Sequence, residues 1–445
     1  MIKQLNDYIT ARNIPDNRNP VIVGVSGGID SMVLLHLMQL SGYQITAAHC
    51  NFSLRGKESD GDQQFVTEKC ARAAIPLRTV RFDTSEYARE MGISIQMAAR
   101  DLRFIWFRKL ANELDISYIA LAHNRNDIAE TLLINMLRGT GLAGLTGIRP
   151  VNGNIIRPLL FATRDMIENY ATDNNILFRE DSSNSDTKYI RNRIRHIVLP
   201  AMEEISDGTV SRLAETAERL TGSYDILLSE TGKKYDQIFS QRDKLIYASR
   251  IELLSLEPLE TYIFELFRRF GISSQQINGV INLLKSPSGK VINTSSHRIL
   301  ADRKNIIIKP RYENEAEQMV VESEEALLSV TSHFKAEKVE PAYFNPSSDS
   351  SVAWIDADKI KYPLSIRRWI PGDTFQPFGM GGRSKKVSDL LTDHKLSLFQ
   401  KEKVSLLVSG GEVVWVIGIR ADYRYRITAE TTSLIKLTSR SRIII

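Results

Sequence analysis

The chain has 445 residues, 42% hydrophobic and 25% charged, with 58 Lys and Arg against 53 Asp and Glu, a net charge of +5 and a pI near 9.0. That length predicts roughly two to four domains, and no apolar run is long enough to span a bilayer, so no membrane partner is expected. Two cysteines, Cys50 and Cys70, exclude a disulfide scaffold and argue against structural zinc; an N-terminus without a signal-peptide layout predicts the cytoplasm, and the basic balance permits a nucleic-acid partner without requiring one.

Pro20 to Val25 is β-branched and apolar, as a strand covered on both faces should be. It runs into Ser26-Gly27-Gly28-Ile29-Asp30-Ser31 and at once into a helix through Met38. Two glycines let backbone approach a ligand, and the helix start offers unpaired N–H groups and the positive end of its dipole. Such a turn is a seat for a phosphate or pyrophosphate. The alternative is an ordinary Gly-Gly turn with an Asp or Ser cap. It is not a P-loop, because no lysine sits in the turn and no G-x-x-x-x-G-K-[ST] occurs in the chain. The S-G-G-x-D-S form resembles the signature of the ATP-pyrophosphatase (PP-loop) enzymes. That resemblance implies cleavage of ATP between its α- and β-phosphates and adenylation of a substrate oxygen.

Strands and helices then alternate: a strand at Gln44 to His49, a helix at Glu58 to Ala74, a strand at Leu77 to Phe82, a helix at Ser94 to Glu113 and a strand at Ser117 to Ala122. The alternation predicts an α/β fold, a parallel, Rossmann-like sheet with helices on both faces and ligands at the carboxyl ends of its strands. The loops after the first, second and fourth strands carry the unusual residues. His49 and Arg55 bracket one strand end and suit nucleotide contacts, or else line a solvated loop. Arg100 and Arg103 share a helix face at i and i+3, either toward a ligand or as a solvated face paired to Asp101. Asp127 and Glu130 repeat that spacing at a helix start, where Asp-x-x-Glu also reads as a capping box. Gly139-Thr-Gly141-Leu-Ala-Gly144 matches a dinucleotide fingerprint, but it follows a helix instead of a strand and reads as a turn.

Helix Arg164 to Asn174 leads to Glu180-Asp181-Ser182-Ser183-Asn184, then to Tyr189-Ile-Arg191-Asn-Arg193-Ile-Arg195-His196. The isoleucines Ile190, Ile194 and Ile197 predict a helix with one apolar and one cationic face, solvated or contacting a phosphate backbone.

With these residues in view, the chain resembles the tRNA(Ile)-lysidine synthetases. The pattern runs through Ser26 to Ser31, His49 with Leu54-Arg55, Arg100 to Phe104, Ala122 to Thr131, Arg138 to Gly147, Arg157-Pro158-Leu159, Asp181 to Asn184 and Arg191 to Pro200. It departs at Asn124, Asn126 and Ile128, where that family usually carries His, Asp and Gln, and at Phe52 and Ser53, which replace His-Gly. The resemblance implies ATP on Ser26, Gly27, Gly28, Ile29, Asp30, Ser31 and His49. It implies catalysis by Asp30, Arg100, Asp127 and Glu130, with Mg²⁺ on Asp30, Asp127 or Glu130. The activity implied is attachment of free lysine to C2 of cytidine 34 in the CAU anticodon of an isoleucine tRNA.

Beyond Pro200, helices are expected at Ala201 to Leu220, Tyr224 to Ile238, Pro258 to Phe270 and Ser274 to Leu284, followed by a short β region ending at Pro310. Glu313 to Glu325 reads as an acidic linker. The remainder is β-rich and similar to the C-terminal tRNA-gripping domain of longer lysidine synthetases. There Arg367, Arg368, Arg383, Lys385, Lys386 and Lys395 near Trp369 and Phe375 read as a basic, aromatic-interleaved surface. The expected division is therefore a catalytic domain at 1–215, a helical to α+β middle domain at 216–312 and a β-rich domain at 313–445. Arg191, Arg195, Arg367, Arg368, Lys385 and Lys386 are the expected tRNA contacts. Sulfur-transferring PP-loop relatives are disfavoured by the lack of C-x-x-C, and amidotransferases by the lack of a glutaminase domain. A non-catalytic tRNA-binding protein is the other class of reading. Oligomeric state is left open, with a homodimer one option.

Overall fold

The computed structural model describes residues 1–179, 190–242, 244–311, 318–330, 332–345 and 349–440. Glu180 to Asn184, Tyr189 and the start of the acidic stretch, residues 313–317, lie outside the described residues. The chain forms two compact units, Met1–Ser229 and Glu230–Ile445.

The first unit runs α1 (Ile2–Ala11), β1 (Val21–Gly24), α2 (Ile29–Leu40), β2 (Ile45–Asn51), α3 (Lys57–Arg72), β3 (Leu77–Arg81) and α4 (Thr84–Met91). It continues with α5 (Ile95–Leu114), β4 (Tyr118–Ala120), α6 (Arg125–Leu137), α7 (Leu142–Leu145), β5 (Val151–Asn152), β6 (Ile155–Ile156) and α8 (Arg164–Asp173). The sheet order is β3-β2-β1-β4-β6-β5, parallel throughout except for β5 against β6. Alternation along β1 divides the core, because successive side chains point to opposite faces. Val21 and Val23 join Leu5, Leu34, Leu37 and Ile167 from α1, α2 and α8. Ile22 joins Phe107 and Leu110 of α5. Strand order reverses between β1 and β4, which opens a crevice outside their carboxyl ends.

The sequence reading missed α4, although its frame is local: Asp83 caps its start by accepting from the Glu86 N–H, and Gly92 ends it at φ +63°. The cationic helix also differs from expectation. Ile190–Arg193 is one turn, and Ile194–Val198 continues it as π-helix. An i→i+5 turn breaks the 3.6-residue stripe, so Ile194 is buried while Ile190 and Ile197 stay 43% and 54% exposed. The two helices expected at Ala201 to Leu220 and Tyr224 to Ile238 are instead Leu199–Ile205 and one long helix, Thr209–Ile238. Residue 215 falls inside that long helix, and both Ala214 and Ala217 pack into the first unit's core with Ile128 and Leu160.

In the second unit, helices Leu259–Phe267 and Ile277–Lys285 pack on a five-stranded antiparallel sheet. Two of its strands, Phe239–Arg242 and Leu245–Ser249, were not expected, since Ser-Gln-Arg at an exposed edge carries no strand signal. A second five-stranded sheet includes Met319–Val321 paired with Leu364–Ile366, and Glu324–Ser329 is a short helix. The linker reading of 313–325 is therefore corrected from residue 319 on, because Met-Val-Val supplies an apolar strand that the neighbouring glutamates disguise. Trp415, wholly buried, packs on Phe334 with ring centroids 5.7 Å apart.

Candidate active site

The turn after β1 is self-bracing. Ser31 Oγ accepts from the Ser26 N–H at 3.1 Å and donates to the Gly28 carbonyl at 2.8 Å, while Ser26 Oγ accepts from the Gly28 N–H at 3.3 Å. Gly27 sits at φ +94°, where an L side chain would be strained. No side chain caps α2, so its first N–H groups are left for a ligand. The turn opens into a cleft of about 1400 Å³ whose lining includes Ser26 to Ser31, His49, Phe52, Arg103, Arg164 and Arg195.

Asp30, half-buried on the first turn of α2, receives two hydrogen bonds. Asn124 Nδ2 donates to Oδ1 at 2.9 Å and Arg164 Nη1 donates to Oδ2 at 2.9 Å. Burial pushes the Asp30 carboxyl above its usual range, and Arg164 and Asn124 oppose that rise without cancelling it.

The start of α6 corrects the capping reading. The box is made by Asn124 and Asp127, not by Asp127 and Glu130: Asn124 Oδ1 accepts from the Asp127 N–H at 3.1 Å, and Asp127 Oδ2 accepts from the Asn124 N–H at 2.9 Å. Glu130 has no exposed surface and is gripped by two arginines. Arg191 Nε donates at 2.7 Å, and Arg195 donates through Nε at 2.5 Å and Nη2 at 3.1 Å. Arg191 also reaches Asp127 at 2.7 Å. Burial works to lower the Arg195 pKa, but the hydrogen bonds and charge of Glu130 outweigh it and raise it. Arg191 and Arg195, expected to meet RNA phosphates, are thus engaged by carboxylates.

Asn124, Asn126 and Ile128 each have a structural use. Asn124 caps α6 and holds Asp30; Asn126 Oδ1 accepts from the Arg164 N–H at 3.0 Å; Ile128 fills the core against Gly147, where a Cβ would come within 2.9 Å of it.

His49 is buried, its Nδ1 bonded to the Val25 carbonyl at 2.9 Å; burial depresses its pKa, with Val25 and Asp62 opposing, so the ring is neutral and Nε2 is left without a hydrogen-bond partner. His123, at the end of β4, is pushed down to about 3 by burial and by Arg157, Arg191, Arg103 and Arg100. Arg100 itself is exposed, with its guanidinium 5.0 Å from the Phe104 ring centroid. Burial pushes the thiols of Cys50 and Cys70 up to about 12 and about 11, which makes both poor nucleophiles near neutral pH.

Arg164, His123 and Arg157 were missed as site residues. Arg164 lies 134 residues from Asp30 in sequence, and nothing local marks the pairing. In the second unit the basic surface is only partly as expected. Arg367 is a fork on Asp373 at 2.9 and 2.7 Å, Arg368 bonds the Lys403 carbonyl, and Lys385 pairs with Asp393. Phe375 is core and Trp369 donates Nε1–H to the Lys401 carbonyl at 2.6 Å, so neither stands out from the surface. Arg383, Lys386 and Lys395 are exposed.

No helix among the described residues is long and apolar enough to cross a membrane.

A parallel sheet with a self-braced, lysine-free Ser-Gly-Gly-x-Asp-Ser turn at its switch point defines a PP-loop nucleotide domain, and the family model described as PP-loop domain matches residues 1–202. Two further models match: the TilS substrate binding domain at residues 241–311 and the TilS substrate C-terminal domain at 364–437. The tRNA(Ile)-lysidine synthase of Parabacteroides distasonis is 37% identical over 432 residues, 97% of this chain and 98% of that one. That of Bacteroides thetaiotaomicron is 38% identical over 95% of each. The chain belongs to the tRNA(Ile)-lysidine synthase family.

Proposed function

We propose that the protein uses ATP to join free lysine to C2 of cytidine 34 in the CAU anticodon of an isoleucine tRNA, changing codon reading from AUG to AUA. The observation that carries the chemistry is the Ser26–Ser31 turn, an uncapped helix start without a P-loop lysine, facing acids from α6 across the switch point. Its amides suit a departing pyrophosphate.

The C2 oxygen of the cytidine attacks the α-phosphate, pyrophosphate leaves, and the adenylated C2 becomes electrophilic. The lysine ε-amine then attacks C2 and AMP departs. Negative charge grows on the phosphoryl oxygens in the first step, where Arg100 is the assigned cation. Lysine arrives as an ammonium, and of the two expected acids Asp127 is assigned to hold it and favour its deprotonation, because Glu130 has no exposed surface and both its oxygens accept from arginines. Because Arg191 and Arg195 already balance those acids, lysine would bind beside a neutralised cluster, with Asp127 the more accessible member.

Among the described residues no three His, Cys, Asp or Glu converge as a metal cage. Mg²⁺ keeps several waters and needs only one or two carboxylates beside substrate phosphates, so Asp30 would hold it in exchange for the Arg164 contact on its Oδ2. When bound, the ion would neutralise phosphate charge. A division of labour in which the catalytic part ends near Ser229 instead of residue 215, the tRNA contacts at Lys385 and Lys386, and a cytoplasmic location belong to the same proposal.

The test is product analysis. Protein with ATP, Mg²⁺, lysine and unmodified CAU-anticodon isoleucine tRNA should release AMP and pyrophosphate and attach lysine covalently. ADP as product, or sulfur incorporated instead of lysine, would sink the assignment.

A further inference from the structure

Phe52 is the first residue after β2. It lines the cleft, and its ring stacks on Phe82 with centroids 5.9 Å apart and planes 26° from parallel. The Arg103 guanidinium lies 5.3 Å from the Phe52 ring centroid and lines the same cleft. The tier is held by its backbone: the Phe52 carbonyl accepts from Thr84 Oγ1 at 2.8 Å, and Asn51 Oδ1 accepts from the Ser53 N–H at 3.0 Å. One helical turn back, Arg100 covers Phe104 at 5.0 Å.

The charges around this tier are one-sided. None of the ion pairs among the described residues involves Arg100, Arg103 or Arg157. Arg157 is buried; its Nη1 donates to the Arg149 carbonyl at 2.8 Å, and its Nε has no hydrogen-bond partner. Burial lowers the Arg103 pKa, with Arg100 adding to the repulsion, while the nearby Cys50 thiol stays neutral. Burying the Arg103 and Arg157 guanidiniums without a paired acid is unfavourable unless an anion joins them. Rings layered with guanidinium groups and backed by cations outside any ion pair form the surface on which unpaired nucleotides stack, base on the planes and phosphate on the arginines.

We infer that the Phe82–Phe52–Arg103 tier seats an unpaired nucleotide of the anticodon loop next to the target cytidine, stacking its base and binding its phosphate. This rests on the tRNA reading above. It adds a specificity contact that the PP-loop turn cannot supply, since the turn meets only ATP.

The test uses the full chain and isoleucine tRNA carrying 2-aminopurine beside the target cytidine. Wild type should quench that fluorescence on binding. Phe52→Leu should lose the quench and raise KM for tRNA about tenfold or more, with KM for ATP unchanged. Phe52→Tyr, which keeps a ring, should behave as wild type. An undiminished quench and unchanged KM for tRNA in Phe52→Leu would overturn the inference, and so would an equal weakening of ATP binding, which would make the ring merely structural. Quenching is read from binding alone. A wild type that quenches but attaches no lysine would therefore refute the function and leave the platform standing.

Discussion

Asn124 holds Asp30 by a 2.9 Å hydrogen bond from its Nδ2 while its Oδ1 caps α6. One amide thus ties the turn after β1 to the helix after β4 across the switch point, and fixes the distance between the nucleotide seat and the acids of α6.

Asn124→Ala removes both bonds. The lost cap should lower stability by about 1 kcal/mol. The sign for activity follows from Asp30: burial raises its pKa and Asn124 opposes that rise, so removing Asn124 raises it further. The acidic limb of the kcat/KM profile should move to higher pH. An unmoved limb would exclude Asp30 as the group it reports.

Asp30→Ala, Arg100→Ala and Asp127→Ala should each reduce kcat by about 100-fold or more while the chain still folds and binds tRNA. Steady-state AMP release measures this. Wild-type turnover in any one of them would remove that residue from the site.

Glu130→Gln distinguishes a buried ionic cluster from a cap. Two arginines would keep their charge with one partner neutralised, so stability should fall by about 3 kcal/mol, well beyond a cap's contribution. Denaturant titration decides. A loss under about 1 kcal/mol would return Glu130 to a capping-scale role.

His123 predicts an acid sensitivity. Its folded pKa, about 3, lies below the unfolded value of about 6.5, so the unfolded chain binds the proton first. Its contribution is complete above pH 6.5 and declines as pH falls toward 3, by about 1.4 kcal/mol per pH unit. Urea titrations at neutral and mildly acid pH should show a shallower decline in His123→Gln. Parallel curves would refute this.

A fragment ending near Ser229 should fold and bind ATP, because Ala217 completes the first unit's core. One ending at residue 215 cuts the helix Thr209–Ile238 and should be less stable by thermal melt. In the full chain, Lys386→Glu should flatten the salt dependence of tRNA binding by about one unit of slope. Lys385→Glu should do less, since Lys385 is already paired with Asp393.

Local pattern was enough for the parallel sheet, the turn after β1 and the rejection of Gly139 to Gly144 as a dinucleotide site. β-branched runs, paired glycines and helical spacing act over a few residues, and burial on both faces reinforces them. The i, i+3 spacing drew attention to Asp127 and Glu130, but a catalytic role for them and for Asp30 came from the family resemblance, because spacing alone fits a capping box as well. What they touch was settled only by folding. Asn124 reaches Asp30 over 94 residues, Arg164 over 134, and Arg195 reaches Glu130 over 65. Arg191 and Arg195 looked like a solvated or RNA-facing stripe because periodicity assumes an α-helix, and the π-helical turn at Ile194–Val198 breaks that period. A side chain's charge is written in the sequence. Its partner is chosen by which elements pack together, and that depends on the whole core at once.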